Sequence, residues 1–212
     1  MKTRVLLGLT LFFVTSAFAK DYRTQKSEVF FMPQFINGKK LEFKNDTAVD
    51  IKDRGGFAIG LGYNFDEHFE IAGVFSYTNS SYLATIKKDD GTLENVSRNL
   101  YTSTIAVEGT YNFFQGEFTP YISANIGFTY SDTGISTNES SEYCYFDPWW
   151  GPVCYDETYT STDLNYGASV GVRYDFQNSL YLKAGIGTQY VDYDSKASPY
   201  FTTYSITIGG RF

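Results

Sequence analysis

Apolar and polar residues alternate with a period of two through most of the chain. Between residues 57 and 65 the odd positions are large and apolar, and the even positions are small or polar. Such alternation predicts β-strands with one apolar face. It recurs at residues 69–77, 105–113, 122–130, 166–176, 180–190 and 204–212. A less regular segment from Glu28 to Ile36, weakened by Pro33, makes an eighth candidate strand.

The connections between these segments alternate in length. Short turns fall at residues 66–68, 115–117 and 177–179, and longer polar segments fall at 37–54, 79–98, 132–163 and 193–199. Each apolar segment has the ~9–11 residues that a tilted strand needs to cross a bilayer. Short turns on one side and long loops on the other are typical of outer-membrane barrels. The termini are then expected in the periplasm.

The polar face of the strands distinguishes a membrane barrel from a soluble one. A soluble barrel would carry many Lys, Glu and Asp side chains on its outer face. Here the polar face is mostly glycine, serine, threonine and asparagine, which suits the interior of a narrow barrel. Aromatic residues at the segment ends predict a girdle at the periplasmic interface: Phe65, Phe69, Tyr111, Phe113, Tyr174 and Phe176. The prediction is all-β: one eight-stranded antiparallel up-and-down transmembrane β-barrel.

The first residues have the order of a secretory signal. Lys2 and Arg4 precede an apolar stretch from Val5 to Val14, and Ala17-Phe18-Ala19 follows. We therefore predict a signal peptide over residues 1–19 and a barrel domain over 20–212. The apolar stretch is shorter than the ~20 residues that a spanning helix requires.

The net charge argues against nucleic-acid binding. It is −7 for the whole chain and becomes −9 without the signal peptide, which holds two basic residues and no acidic one. Nucleic-acid binding needs Lys and Arg to neutralise phosphates. No cofactor or metal is expected.

The most unusual stretch lies in the third long loop, between residues 143 and 155. Cys144 and Cys154 are the only cysteines of a chain with an export signal, so we expect a disulfide between them. The expected ring would present the aromatic residues Tyr145, Phe146, Trp149 and Trp150. Three interpretations stay open: the loop folds back over the barrel mouth, binds an external protein or sugar, or contacts lipopolysaccharide headgroups.

The last nine residues, Tyr-Ser-Ile-Thr-Ile-Gly-Gly-Arg-Phe, alternate and end on an aromatic residue. They resemble the C-terminal signal read by the outer-membrane assembly machinery, with Tyr204, Gly210 and Phe212 as its candidate residues. Gly60-Leu61-Gly62-Tyr63-Asn64-Phe65 and Gly171-Val172-Arg173-Tyr174-Asp175-Phe176 are also similar to strand ends of small outer-membrane barrels. That family includes virulence-associated adhesion barrels and the transmembrane domain of outer membrane protein A. Its members are adhesins, structural barrels or porin-like proteins.

Five charged residues fall on the predicted inner face: Glu70, Glu108, Arg173, Lys183 and Arg211. Charges in a narrow lumen must pair or be hydrated, which favours a structural plug. The resemblance to outer membrane protein A implies an alternative. This alternative is a gate, in which one basic side chain would exchange between Glu70 and Glu108 and open a water path.

We therefore expect a monomeric outer-membrane protein with a structural or adhesin-like role, surrounded by membrane lipid and lipopolysaccharide. A narrow porin-like channel is the alternative. A lipid A-modifying enzyme is disfavoured, because serine hydrolysis needs a histidine base and the chain's single histidine, His68, falls in a predicted periplasmic turn.

Overall fold

The computed structural model describes residues 22–42, 48–87, 92–136, 142–147, 151–156, 158–192 and 200–212. The strands are β1 (Lys26–Ile36), β2 (Lys39–Glu42), β3 (Ala48–Ile51), β4 (Arg54–Asn64), β5 (Phe69–Lys87), β6 (Leu93–Asn112), β7 (Phe118–Ser136), β8 (Glu142–Asp147), β9 (Gly151–Asp156), β10 (Thr158–Asp175), β11 (Leu180–Val191) and β12 (Tyr200–Arg211). Within these ranges no helix has the length and apolar character needed to cross a membrane.

Eight of these strands close into one antiparallel barrel, as predicted. They follow the order β1, β4, β5, β6, β7, β10, β11 and β12, and β12 pairs again with β1. Closure matters because a bilayer offers no water to an unpaired strand edge. The four short strands are not members of this ring: β2 pairs with β3, β3 pairs with the outward part of β5, and β8 pairs with β9.

The apolar face points outward, which confirms the predicted orientation. Ile105, Leu61 and Ile126 expose 69%, 67% and 58% of their surface. The interior instead buries Glu70 and Arg173 at 1% and 0% exposure. An apolar face that is exposed along every strand of a closed barrel is typical of a wall that meets lipid.

Glycines make room for the large side chains of the lumen. A Cβ atom on Gly60 would run into the ring of Phe30, and one on Gly209 would run into the ring of Tyr181. Phe30 and Tyr181 are 6% and 0% exposed, and they pack in one apolar cluster with Ala72. The small residues of the inner face thus admit aromatic rings that fill the barrel.

The predicted aromatic girdle surrounds the short-turn end of the barrel. Its six residues are between 39% and 53% exposed on the outer face: Phe65, Phe69, Tyr111, Phe113, Tyr174 and Phe176. Neighbouring rings contact edge to face, as in Tyr111 and Phe113 with centroids 5.4 Å apart.

The long connections differ from the expected loops, because the strands continue through them. β5 and β6 stay in register from the pair Phe69 and Tyr111 to the pair Lys87 and Leu93. Nineteen residues of β5 at ~3.3 Å each and ~45° tilt rise about 45 Å, more than the ~30 Å hydrocarbon core. Beyond the lipid the outer face of β5 meets water, and its inner face buries apolar residues such as Tyr82 and Ala84. The pattern of apolar residues outside and polar residues inside therefore disappears while the backbone pairing persists. We call the strand segments that fall in the expected loops, residues 79–87 of β5, 93–98 of β6, 132–136 of β7 and 158–163 of β10, the outward extension.

Replacing Ile105 with Arg tests the orientation of the wall. The change should lower the free energy of unfolding in lipid vesicles by about 2–4 kcal/mol, because the charge would enter hydrocarbon. Reversible denaturant unfolding measures the loss. Ile105→Leu is the control and should change stability by less than ~1 kcal/mol. Equal stabilities of the two variants would contradict an outward Ile105.

Candidate functional site: the barrel lumen

A fully buried arginine pairs with carboxylates in the half of the lumen nearer the short turns. Arg173 of β10 has no exposed surface. Its guanidinium pairs with Glu28, lies 2.9 Å from Glu70 Oε2 and lies 3.0 Å from Asp175 Oδ1. The guanidinium also stacks on the ring of Tyr181, with its Cζ 4.1 Å from the centroid. Three carboxylates therefore surround one guanidinium, which fits the fork geometry of arginine.

Lys183 extends this cluster toward the middle of the barrel. It lies directly opposite Arg173 in the pairing of β10 with β11. Its Nζ donates to both oxygens of Glu70, at 2.9 and 2.7 Å. Glu70 therefore accepts hydrogen bonds from two cations, which offsets the repulsion between neighbouring positive side chains.

Asp175 extends the cluster toward the short-turn end. Its carboxylate is fully buried and pairs with Arg173, with Arg211 at 3.1 Å, and with Arg23. Arg211 also donates to the carbonyl oxygens of Phe176 and Leu180, at 2.9 and 3.2 Å. We call Arg23, Glu28, Glu70, Arg173, Asp175, Lys183 and Arg211 together the charge network.

A polar cavity of about 90 Å³ lies on the other side of Lys183. Glu108 and Asn125 line it and face each other across the pairing of β6 with β7. Further lining residues are mostly hydroxyl and amide side chains, including Gln34, Ser169 and Gln189. A polar space of this size is large enough for several water molecules.

Apolar side chains fill the lumen on the outward side of this cavity. Ile36, Ile51, Tyr82, Leu100 and Phe201 form a cluster in which each is at most 8% exposed. Arg54 lies beneath it, with its Cζ 4.5 Å from the centroid of the Phe201 ring. The cavity is thus bounded by the charge network on one side and by this cluster on the other.

The structure brings together most of the predicted lumen charges. Glu70, Arg173 and Lys183 are in direct contact, and Arg211 joins them through Asp175. Glu108 lies apart from that contact and lines the cavity beside Lys183. Sequence reasoning missed Arg23, Glu28 and Asp175 as members. Asp175 could have been found, because it continues the polar alternation of β10, whereas Arg23 precedes the first strand and follows no pattern.

His68 has a structural environment in its turn. Its Nδ1 lies 2.7 Å from the carbonyl oxygen of Asn112, and its ring stacks on Tyr111 with centroids 5.7 Å apart. Asp66 caps the same turn by accepting from the backbone N–H groups of Phe69 and His68, which lowers the pKa of its carboxyl group. The absence of enzymatic activity stays a prediction.

The third loop is only partly described. β8 and β9 pair so that Cys144 lies opposite Cys154 in the backbone register. Tyr145 and Phe146 belong to β8, whereas Trp149 and Trp150 lie outside the described residues. The disulfide therefore stays a prediction, as does the predicted signal peptide, whose residues also lie outside the described ranges.

The C-terminal residues are part of the closed wall. Tyr204 and Phe212 are 42% and 75% exposed. The backbone of Phe212 exchanges two hydrogen bonds of 3.0 Å with Ser27. Gly210 pairs with Val29 on one side and with Leu180 on the other. Their role as an assembly signal stays a prediction.

The sequence profile of the Outer membrane protein beta-barrel domain family matches residues 5–212. The chain belongs to this family. Its location is the outer membrane, and the predicted resemblance to small outer-membrane barrels is confirmed. A comparison with curated protein sequences found no match.

Two solved structures share the barrel fold of this chain. The outer membrane protein OprG from Pseudomonas aeruginosa is 10% identical, with 92% of this chain and 99% of OprG covered and a TM-score of 0.57. The attachment invasion locus protein Ail of Yersinia pestis, in complex with the heparin analogue sucrose octasulfate, is 12% identical. There the alignment covers 89% of this chain and 99% of Ail, with a TM-score of 0.51. At such identities the likeness shows the fold alone.

Replacing Asp175 with Asn tests whether the charge network stabilises the barrel. Three arginines would lose their shared anion, so the free energy of unfolding should fall by about 3–5 kcal/mol. Asp163→Asn is the control on the same strand, since the Asp163 carboxylate accepts from the Ser161 hydroxyl in an exposed contact. That variant should lose less than ~0.5 kcal/mol. Similar losses in urea unfolding would show that the network is not stabilising.

Proposed function

We propose that this outer-membrane protein has a structural and surface-contact role, in which the outward extension and the third loop meet a partner outside the cell. The observation that carries this proposal is the continuous pairing of β5 with β6 as far as Lys87 and Leu93. A paired sheet of that length forms a platform that loses little conformational entropy when a partner binds.

In addition to this paired sheet, we expect the third loop to contact the partner. The β8–β9 hairpin begins only a few residues beyond β7, and it places Cys144 opposite Cys154. A disulfide at this position would close a small loop around Trp149 and Trp150. Aromatic rings held in a short loop provide contact area at low entropic cost. Ail was solved with a sulfated sugar analogue, but the acidic net charge of this chain disfavours a polyanionic ligand.

Membrane lipid and lipopolysaccharide are the proposed surroundings of the barrel. Tyr166, Tyr190 and Tyr200 form a row across β10, β11 and β12, with neighbouring ring centroids 4.7 and 4.9 Å apart. Lys39 Nζ donates to the carbonyl oxygen of Tyr200 at 3.4 Å. Tyrosine hydroxyls with a lysine beside them suit the level of sugar and phosphate headgroups.

Replacing both Trp149 and Trp150 with Ala tests the third loop. Whole cells that display the double variant should recover less of a surface partner in pull-down, by roughly tenfold or more if both rings are anchors. Phe113→Ala is the control, because this aromatic residue is 49% exposed in the girdle at the opposite end of the barrel and should leave recovery unchanged. Heat-modifiable migration on detergent gels checks folding. Equal recovery from wild type and the double variant would refute the loop as contact site.

A narrow channel is the second candidate, favoured by the polar cavity beside Lys183. In this hypothesis Lys183 exchanges its contact from Glu70 to Glu108, both of which face the same stretch of lumen. The apolar cluster on the outward side would have to open as well, and this requirement weighs against the channel.

Single-channel recordings in planar bilayers distinguish the two candidates. Arg173→Ala should raise the conductance if the charge network is a gate, because it frees Glu28 and Glu70 from their shared cation. The wild-type protein and the Ile105→Leu variant serve as controls. Unchanged conductance in Arg173→Ala would remove the gate, and a fully silent wild-type protein would agree with a structural plug.

A further inference from the structure

The segment before the first strand lies across the short-turn end of the barrel. Residues 22–25 precede β1, and the left-handed backbone of Gln25, with φ of 54°, turns the chain from this segment into the wall. Tyr22 and Arg23 are 7% and 0% exposed, although they belong to no strand. We call residues 22–25 the N-terminal latch.

Arg23 joins the latch to two of the three short turns. Its Nε donates to the carbonyl oxygen of Glu67 at 2.8 Å, and its Nη2 lies 3.1 Å from Glu67 Oε2. In the second turn it donates to the carbonyl oxygens of Phe114 and Gly116, at 2.8 and 3.3 Å. It also pairs with Asp175. One guanidinium therefore meets five acceptors, a pattern that a lysine could not reproduce.

The backbone of the latch is held by the carboxylate of Glu67. Its Oε1 accepts from the N–H groups of Tyr22, Arg23 and Thr24, at 2.7, 2.6 and 3.3 Å. Successive N–H groups that converge on one carboxylate form strong and directional hydrogen bonds. The Tyr22 hydroxyl donates to Glu117 at 2.8 Å in the second turn.

The third turn is reached through Arg211. This side chain donates to the carbonyl oxygen of Tyr22 at 2.8 Å and to that of Phe176 at 2.9 Å. It also pairs with Asp175, which in turn contacts Arg173 in the charge network. Contacts thus run without interruption from the latch to the carboxylates in the half of the lumen nearer the short turns.

We propose that the N-terminal latch is an intramolecular stopper: it closes the short-turn mouth of the barrel, ties its three turns together and fixes Asp175 for the charge network. Release of the latch would expose Arg23 and leave Asp175 with two of its three cations. This inference does not rest on the surface-contact role, because the latch lies at the opposite end of the barrel from the outward extension.

Trypsin cleavage between Arg23 and Thr24 tests the latch, because the protease must take the Arg23 side chain into its own pocket. The wild-type protein in detergent micelles should resist cleavage there. Glu67→Gln keeps the shape of the side chain that accepts from the latch but removes its negative charge, so cleavage should be faster by about tenfold or more. Glu67→Ala should be cleaved faster still. Mass spectrometry of the released peptides identifies the bond that is cut.

Asp66→Asn is the matched control, because this neighbouring carboxylate caps its own turn at the N–H groups of His68 and Phe69. It should leave Arg23 as resistant as in wild type. Heat-modifiable migration confirms that each variant is a folded barrel, and Glu67→Gln keeps the test valid if Glu67→Ala does not fold. Rapid wild-type cleavage after Arg23, resistance in both Glu67 variants, or equal release by Asp66→Asn would each overturn the latch.

Discussion

The closed ladder of eight strands in a membrane determines how the rest of the protein is built. Hydrocarbon offers no hydrogen bonds to backbone groups, so every strand in the wall must pair on both sides. The same hydrocarbon takes the apolar side chains, as the exposure of Ile105 and Leu61 shows. The interior is left to the polar residues. In this protein the buried core is therefore the hydrophilic face, and its stability depends on pairing charges rather than on excluding water.

In the charge network several buried ions pair with two or three ions of opposite charge. Arg173 contacts three carboxylates, Asp175 contacts three arginines, and Glu70 contacts two cations. Shared partners reduce the cost of burying each charge, whereas the loss of any one member leaves several others without full compensation. Glycines beneath Phe30 and Tyr181 let aromatic rings fill the space that the ions leave. Charges and rings together close the half of the lumen nearer the short turns.

The two ends of the barrel differ in construction. At the short-turn end, side chains from the turns and from the latch converge on one another, with Arg23 and Arg211 at the centre. At the other end the strands run on past the membrane as paired sheet. The first arrangement is compact and turned inward, whereas the second presents backbone and side chains to the surroundings. We therefore assign the proposed contact with an outside partner to the outward extension.

The sequence by itself determined the class of fold, the number of strands in the barrel wall and the face that meets lipid, because each follows from a local alternation of side chains. It also placed Glu70, Arg173, Lys183 and Arg211 in the lumen. Only the tertiary structure decided which charges meet, since Glu28, Asp175 and Arg23 come from distant parts of the chain. It also decided how far the strands run beyond the membrane, because the pattern of apolar residues outside and polar residues inside ends where the outer face meets water instead of lipid.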